Sequence, residues 1–149
     1  MKKLLIALML IVGCGGAAWA FVDSYILDRE KLPEAAQQML SEYFPKAKIG
    51  MIKIDRHLLK KTDYDVKLVN GTKIEFNNAG KWTSVDCKTR AVPEGLIKKP
   101  IRNYVKKNFP DLKIVKVAKK SWGYEIELSD DVELKFDLLG TFKGVKMDD

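Results

Sequence analysis

Tyr64-Asp65-Val66-Lys67-Leu68-Val69-Asn70-Gly71-Thr72-Lys73-Ile74-Glu75-Phe76 is the stretch that decides the fold. Tyr64, Val66 and Leu68 alternate with Asp65 and Lys67, and Ile74 and Phe76 alternate with Lys73 and Glu75. Apolar and charged residues at period two mark strands with one face buried. Asn70-Gly71 between the runs is a two-residue hairpin signal, because these residue types tolerate the positive φ of such turns. The stretch is predicted to be an antiparallel hairpin, aromatic and aliphatic on one face, charged on the other.

Working outward, the same writing recurs. Tyr124-Glu125-Ile126-Glu127-Leu128 and Glu133-Leu134-Lys135-Phe136-Asp137 repeat it at an offset of 60 residues. Gly80-Lys81-Trp82 matches Gly140-Thr141-Phe142, and Leu32-Pro33-Glu34 matches Val92-Pro93-Glu94, at the same offset. Phe44-Pro45 and Phe109-Pro110 lie 65 apart, which predicts a longer helical segment and a shorter later loop in the second unit. Two copies are too few for a solenoid and point to a pair of pseudo-symmetric halves.

Each half reads as a helix followed by strands. Ala36, Met39, Leu40, Tyr43 and Phe44 recur at helical spacing and Pro45 ends the run; Leu96, Ile97, Ile101, Tyr104 and Val105 repeat the stripe, interrupted at Pro100, which predicts a short helix, a kink or turn near 99–100, and a second helix to about Asn108. Strands are predicted at about 47–55, 64–69, 72–77 and 81–86, and again at 112–119, 122–129, 132–137 and 141–146. Ile49 and Ile52, like Ile114 and Val117, are three apart, which breaks period two and predicts a bulge in both halves. The fold class is α+β: two α-β4 repeats forming an antiparallel, eight-stranded sheet with helices on one face. The organisation is a leader (1–20), a leading segment (21–31), a first repeat (32–88) and a second (89–149).

The leader is read from Lys2-Lys3, the apolar run Leu4 to Val12, and Ala18-Trp19-Ala20 as a cleavage site at Ala18 and Ala20. The apolar run is far short of the ~20 residues of a spanning helix. Ile11-Val12-Gly13-Cys14 also resembles a lipobox, so a membrane-anchored lipoprotein lipidated on Cys14 stands beside periplasmic or secreted export. Without residues 1–20 the formal charge falls from +7 to +5, with 25 basic and 20 acidic residues interspersed. That pattern argues against nucleic acid as a partner.

Chemistry is sparse. One His (His57) and one cysteine beyond the leader (Cys87) stand in no catalytic or metal-ligating motif. Cys87 is either a small buried residue or a thiol free for an intermolecular bridge. Asp130-Asp131 falls at a hairpin turn, where Asp is favoured for backbone reasons. No enzyme, metal or cofactor is expected.

The run Leu32-Pro33-Glu34, Tyr43-Phe44-Pro45, Tyr64-Asp65-Val66, Asn70-Gly71, Gly80-Lys81-Trp82 and Val85-Asp86-Cys87 resembles the secreted β-lactamase-inhibitor-like, PepSY-like proteins of Gram-negative bacteria. The resemblance implies an exported protein whose tandem halves join into one curved sheet, with a binding or inhibitory role. The expected function is a non-catalytic binding module, an inhibitor or modulator of an envelope protein. It would dock a protein or peptide through the open sheet face (Lys67, Glu75, Glu127, Lys135) or through hairpin tips (Lys119, Lys120 and Trp122, with Lys60-Lys61 in the first half). The alternative is a small-ligand or envelope-surface binder that uses the cleft between the repeats.

Overall fold

The structure, a computed structural model, describes residues 24–56 and 62–147. The leader with Cys14, Ala18 and Ala20, and the loop residues His57, Lys60 and Lys61, lie outside the described residues. Nine strands form one sheet: β1 (Ser24–Ile26), β2 (Ile49–Asp55), β3 (Asp63–Leu68), β4 (Lys73–Phe76), β5 (Trp82–Asp86), β6 (Ile114–Lys119), β7 (Gly123–Leu128), β8 (Val132–Asp137) and β9 (Phe142–Met147). Their order in the sheet is their order in the chain, and every pair is antiparallel. The halves therefore share one sheet through the β5–β6 pair. The leading segment adds β1, a ninth strand that three residues without alternation do not announce.

The alternation seen in the sequence becomes rows across the sheet. Ile26, Ile52, Val66, Ile74, Val85, Val117, Ile126, Leu134 and Val145 stand opposite one another in turn, one per strand. Seven of these nine, from Ile52 to Leu134, are buried. Helices α1 (Glu34–Tyr43) and α2 (Lys99–Asn108) lay Ala36, Met39, Leu40, Ile101 and Val105 on this row, closing a single core. Burying each large aliphatic side chain contributes about 1.5–3 kcal/mol before entropy is counted. The expected bulges are present, as register shifts between Ile49 and Met51 and between Ile114 and Lys116.

The helix alignment differs from the expectation. Both helices have ten residues, so the second is not longer. The short helix, break and second helix expected around Pro100 are nevertheless present: Glu94–Leu96 is a 3-10 turn, and α2 runs from Lys99 to Asn108 with Pro100 in its first turn, where its missing N–H costs nothing. The matching 3-10 turn in the first half is Arg29–Lys31, so turn, helix and first long strand all repeat at 65. The change to 60 falls in the β2–β3 connection (56–62), which is longer than the β6–β7 connection (120–122). The shorter later loop is thus present: β2 is one residue longer than β6, and the connection supplies the rest of the difference.

The turns after β4 and β8 seat the helix ends. Gly80 and Gly140 have φ of 80° and 87°, and a Cβ on Gly80 would lie 2.7 Å from the Pro33 Cβ. In each turn one side-chain oxygen accepts two backbone N–H groups. Asn77 Oδ1 accepts from Ala79 and Lys81 at 3.0 Å each, and Asp137 Oδ1 accepts from Leu139 (3.0 Å) and Thr141 (2.8 Å). The Thr141 N–H, then that of Leu139 and the Lys143 ammonium, hold the Asp137 carboxyl below the usual carboxylate range against a smaller opposing effect of burial. A depressed pKa contributes stability that is complete above the unfolded value and is lost as pH falls through the folded value. Asp137→Asn copies the Asn77 turn and removes that charge. Its acid unfolding below about pH 4 is therefore expected to be less steep than that of the parent, measured by circular dichroism. Identical acid profiles would show that the carboxylate charge does not hold the turn.

Candidate functional site

The face away from the helices carries two rows. Tyr25, Lys53, Asp65, Glu75, Ser84, Ala118, Glu125, Lys135 and Gly144 form one, strand by strand from β1 to β9. Met51, Lys67, Lys73, Asp86, Lys116, Glu127, Glu133 and Lys146 form the other, from β2 to β9. All four face residues expected from the sequence are here: Lys67 and Glu75 exposed, Glu127 and Lys135 half-buried.

The register makes several neighbours repel. Lys67 stands opposite Lys73, Asp65 opposite Glu75, and Glu127 opposite Glu133. Directly opposed like charges destabilise a sheet, where opposite charges would contribute roughly 0.2–1 kcal/mol. Across their other strand neighbours Lys73, Glu127 and Glu133 face Asp86, Lys116 and Lys146, whereas Lys67 and Glu75 face Met51 and Ser84 and, among the described residues, make no ion pair. Burial, then the Glu75 and Asp55 carboxylates, push the Asp65 carboxyl up despite Lys73 and Lys53. Aromatic rings flank the same face: Tyr25 is 61% exposed on β1, and Trp122, 45% exposed, lies 5.7 Å from the Lys135 ammonium.

The expected basic tip does not hold together. Trp122 joins Lys135 on the open face, whereas Lys119 follows Val115 and Val117 at period two and turns to the helix side. There its ammonium sits 3.6 Å over the Trp82 ring. Lys120 alone stays at the tip, its backbone paired with Gly123. Lys119, Lys81, Trp82 and Tyr124 instead line a cleft of about 520 Å³ between the repeats, walled by α1 and by Gly95 to Lys98. Counting alternate residues from Val115 would have found Lys119's side of the sheet. Trp82 and Tyr124 read as core residues, and they do pack on the core with edges left at the cleft.

Cys87 is buried at the end of β5, and burial pushes its thiol pKa up, with a smaller opposing hydrogen bond from Thr72. That is the environment of an inert cysteine. Among the described residues no group of three or more His, Cys, Asp or Glu is arranged to hold a metal ion. No helix among them is long and apolar enough to cross a membrane.

Among the described residues an open antiparallel sheet backed by two helices, written twice along the chain, defines a tandem α-β4 fold. The chain belongs to the family described as "putative beta-lactamase-inhibitor-like, PepSY-like", whose model matches residues 15–61 and 62–144. No curated protein matches it. Solved structures are similar to it over most of their length. A "putative periplasmic protein of unknown function" from Bacteroides vulgatus is 38% identical (TM-score 0.80), covering 84% of this chain and 99% of its own. A "putative calcium-regulated periplasmic protein" from Bacteroides thetaiotaomicron is 35% identical (TM-score 0.78), covering 83% and 96%. A further periplasmic protein from Bacteroides vulgatus, of the DUF2874 family, is 34% identical (TM-score 0.78), covering 89% and 99%. The periplasmic location expected from the leader is that of these relatives.

Proposed function

We propose that the protein is a non-catalytic binding module of the cell envelope that docks a protein or peptide on its open sheet face and so inhibits or modulates that partner. The facing like charges carry this reading. Lys67–Lys73 and Asp65–Glu75 lower the stability of the isolated fold, and a partner presenting an acid to the first pair and a base to the second relieves both. Tyr25 and Trp122 supply the ring surfaces that interfaces use as anchors. The family's inhibitor-like description agrees in kind.

The test separates binding from folding. Lys67→Glu with Glu75→Lys leaves the net charge unchanged and turns both like pairs into opposite ones. The double variant is expected to gain about 0.2–1 kcal/mol per pair in urea unfolding. It is also expected to lose the envelope protein that the parent captures by cross-linking, and that capture should weaken as salt rises. Undiminished capture of the same protein by the folded double variant would sink the sheet-face reading.

A further inference from the structure

The cleft between the repeats holds a residue the fold does not ask for. Lys119 pairs with Tyr124 in β6–β7 as Ile54 pairs with Tyr64 in β2–β3. The first half places a buried isoleucine there. The second places a cation there, exposed on the helix side of the sheet and lining the cleft. Among the described residues no carboxylate reaches this ammonium; the Trp82 ring, 3.6 Å away, is its contact. Burial, then the charge of Lys81, push the Lys119 pKa below the usual lysine range. Lys98, the other cation in the cleft wall, is engaged: its ammonium donates to the Leu138 carbonyl at 2.7 Å. Lys81 and Lys119 thus remain to meet a ligand, with Glu42 the acid in the lining.

The cleft floor is apolar. Met39 and Leu96 are buried core residues that also line it, beside Trp82. Its volume, about 520 Å³, suits a small organic molecule rather than a single ion. We propose that this cleft is a second binding site, for a small amphiphilic anion whose carboxylate or phosphate head meets Lys119 and Lys81 while its apolar body lies against Met39, Leu96 and Trp82. The site is independent of the open face, since Lys119 stands on the opposite side of the sheet from Lys67 and Glu75.

Trp82 reports on the site directly. The chain has three tryptophans, so Trp19→Phe with Trp122→Phe leaves Trp82 as the single indole. Its emission is followed on titration with octanoate and with octyl phosphate, using octyl glucoside and octyltrimethylammonium as neutral and cationic controls. Either anion is expected to give a saturable change below about 10 mM, and the responding head group tells carboxylate from phosphate. Lys119→Ile, which copies the first repeat, is expected to stay folded and to weaken that anion at least about tenfold, the scale of one lost charge-assisted contact. Lys119→Arg keeps the charge and is expected to keep most of the affinity. The proposal is overturned by an absence of saturable response to both anions, by equal responses to the controls, or by unchanged affinity in the Lys119→Ile chain.

Discussion

Phe136→Ala is expected to cost about 3–5 kcal/mol, a large part of the 5–15 kcal/mol that holds a typical domain together. Phe136 is fully buried on β8. Its ring meets Tyr104 of α2 edge-on at 5.4 Å and Phe142 of β9 at 5.8 Å, while Tyr104 and Phe142 stack at 4.4 Å. Removing it leaves a cavity that a sheet on one side and a helix on the other cannot close, and it breaks two ring contacts worth about 0.5–1.5 kcal/mol each. Phe76 is the equivalent residue of the first half, equally buried, but its neighbours at the matching positions are Met39 and Trp82. Phe76→Ala is therefore expected to cost somewhat less. Urea unfolding measures both; a loss below about 1.5 kcal/mol for Phe136→Ala would mean that the second half repacks freely, contrary to a core fixed by three rings.

Gly123→Ala is expected to destabilise by about 3 kcal/mol, the upper end for overpacking. A Cβ at Gly123 would lie 1.9 Å from the Phe136 carbonyl oxygen and 2.8 Å from the Asp137 Cα. These are backbone atoms of the neighbouring strand, so no side chain can swing aside. Relief requires giving up the Gly123–Asp137 pairing that starts β7. The first half has Asp63 at the matching position, and there the β3–β4 pairing starts one residue later, at Tyr64 and Phe76. The close approach belongs to the second repeat alone. An unfolding midpoint equal to the parent's would refute it, and faster amide exchange at Gly123 and Asp137 would locate the damage at the strand end.

Much of the fold is written locally. Alternation in 64–76 and 124–137 sets which face is buried, and the three-residue spacing of Ile49 and Ile52 gives the bulge, because period two has no other way to bring both inward. The helix register is harder to read. Pro100 announces the break between the 3-10 turn at Glu94–Leu96 and α2, but the offsets of 60 and 65 suggest a longer second helical segment where both helices have ten residues. β1 is invisible because Ser24-Tyr25-Ile26 becomes a strand only by pairing with β2. The candidate face is legible residue by residue, since Lys67, Glu75, Glu127 and Lys135 follow from parity. Which charges oppose which is not, because that depends on the register between strands. The cleft is less legible still: its lining comes from α1, the turn before α2, and three strands, which no linear pattern brings together.

Strand order that equals chain order also bears on how the molecule is made. Each strand pairs with the one before it, across either a hairpin or a single helix. No pairing waits for a segment from the far end of the chain, and architectures with such sequence-local contacts fold quickly for their size. A polypeptide arriving in the periplasm from its N-terminus can close β2 on β3 and β3 on β4 while the second half is still crossing. The growing sheet then has one advancing edge at a time, met by the next strand to emerge. Edges left open are where unfinished sheets aggregate, and this assembly keeps the exposure of the advancing edge short without a slow long-range search.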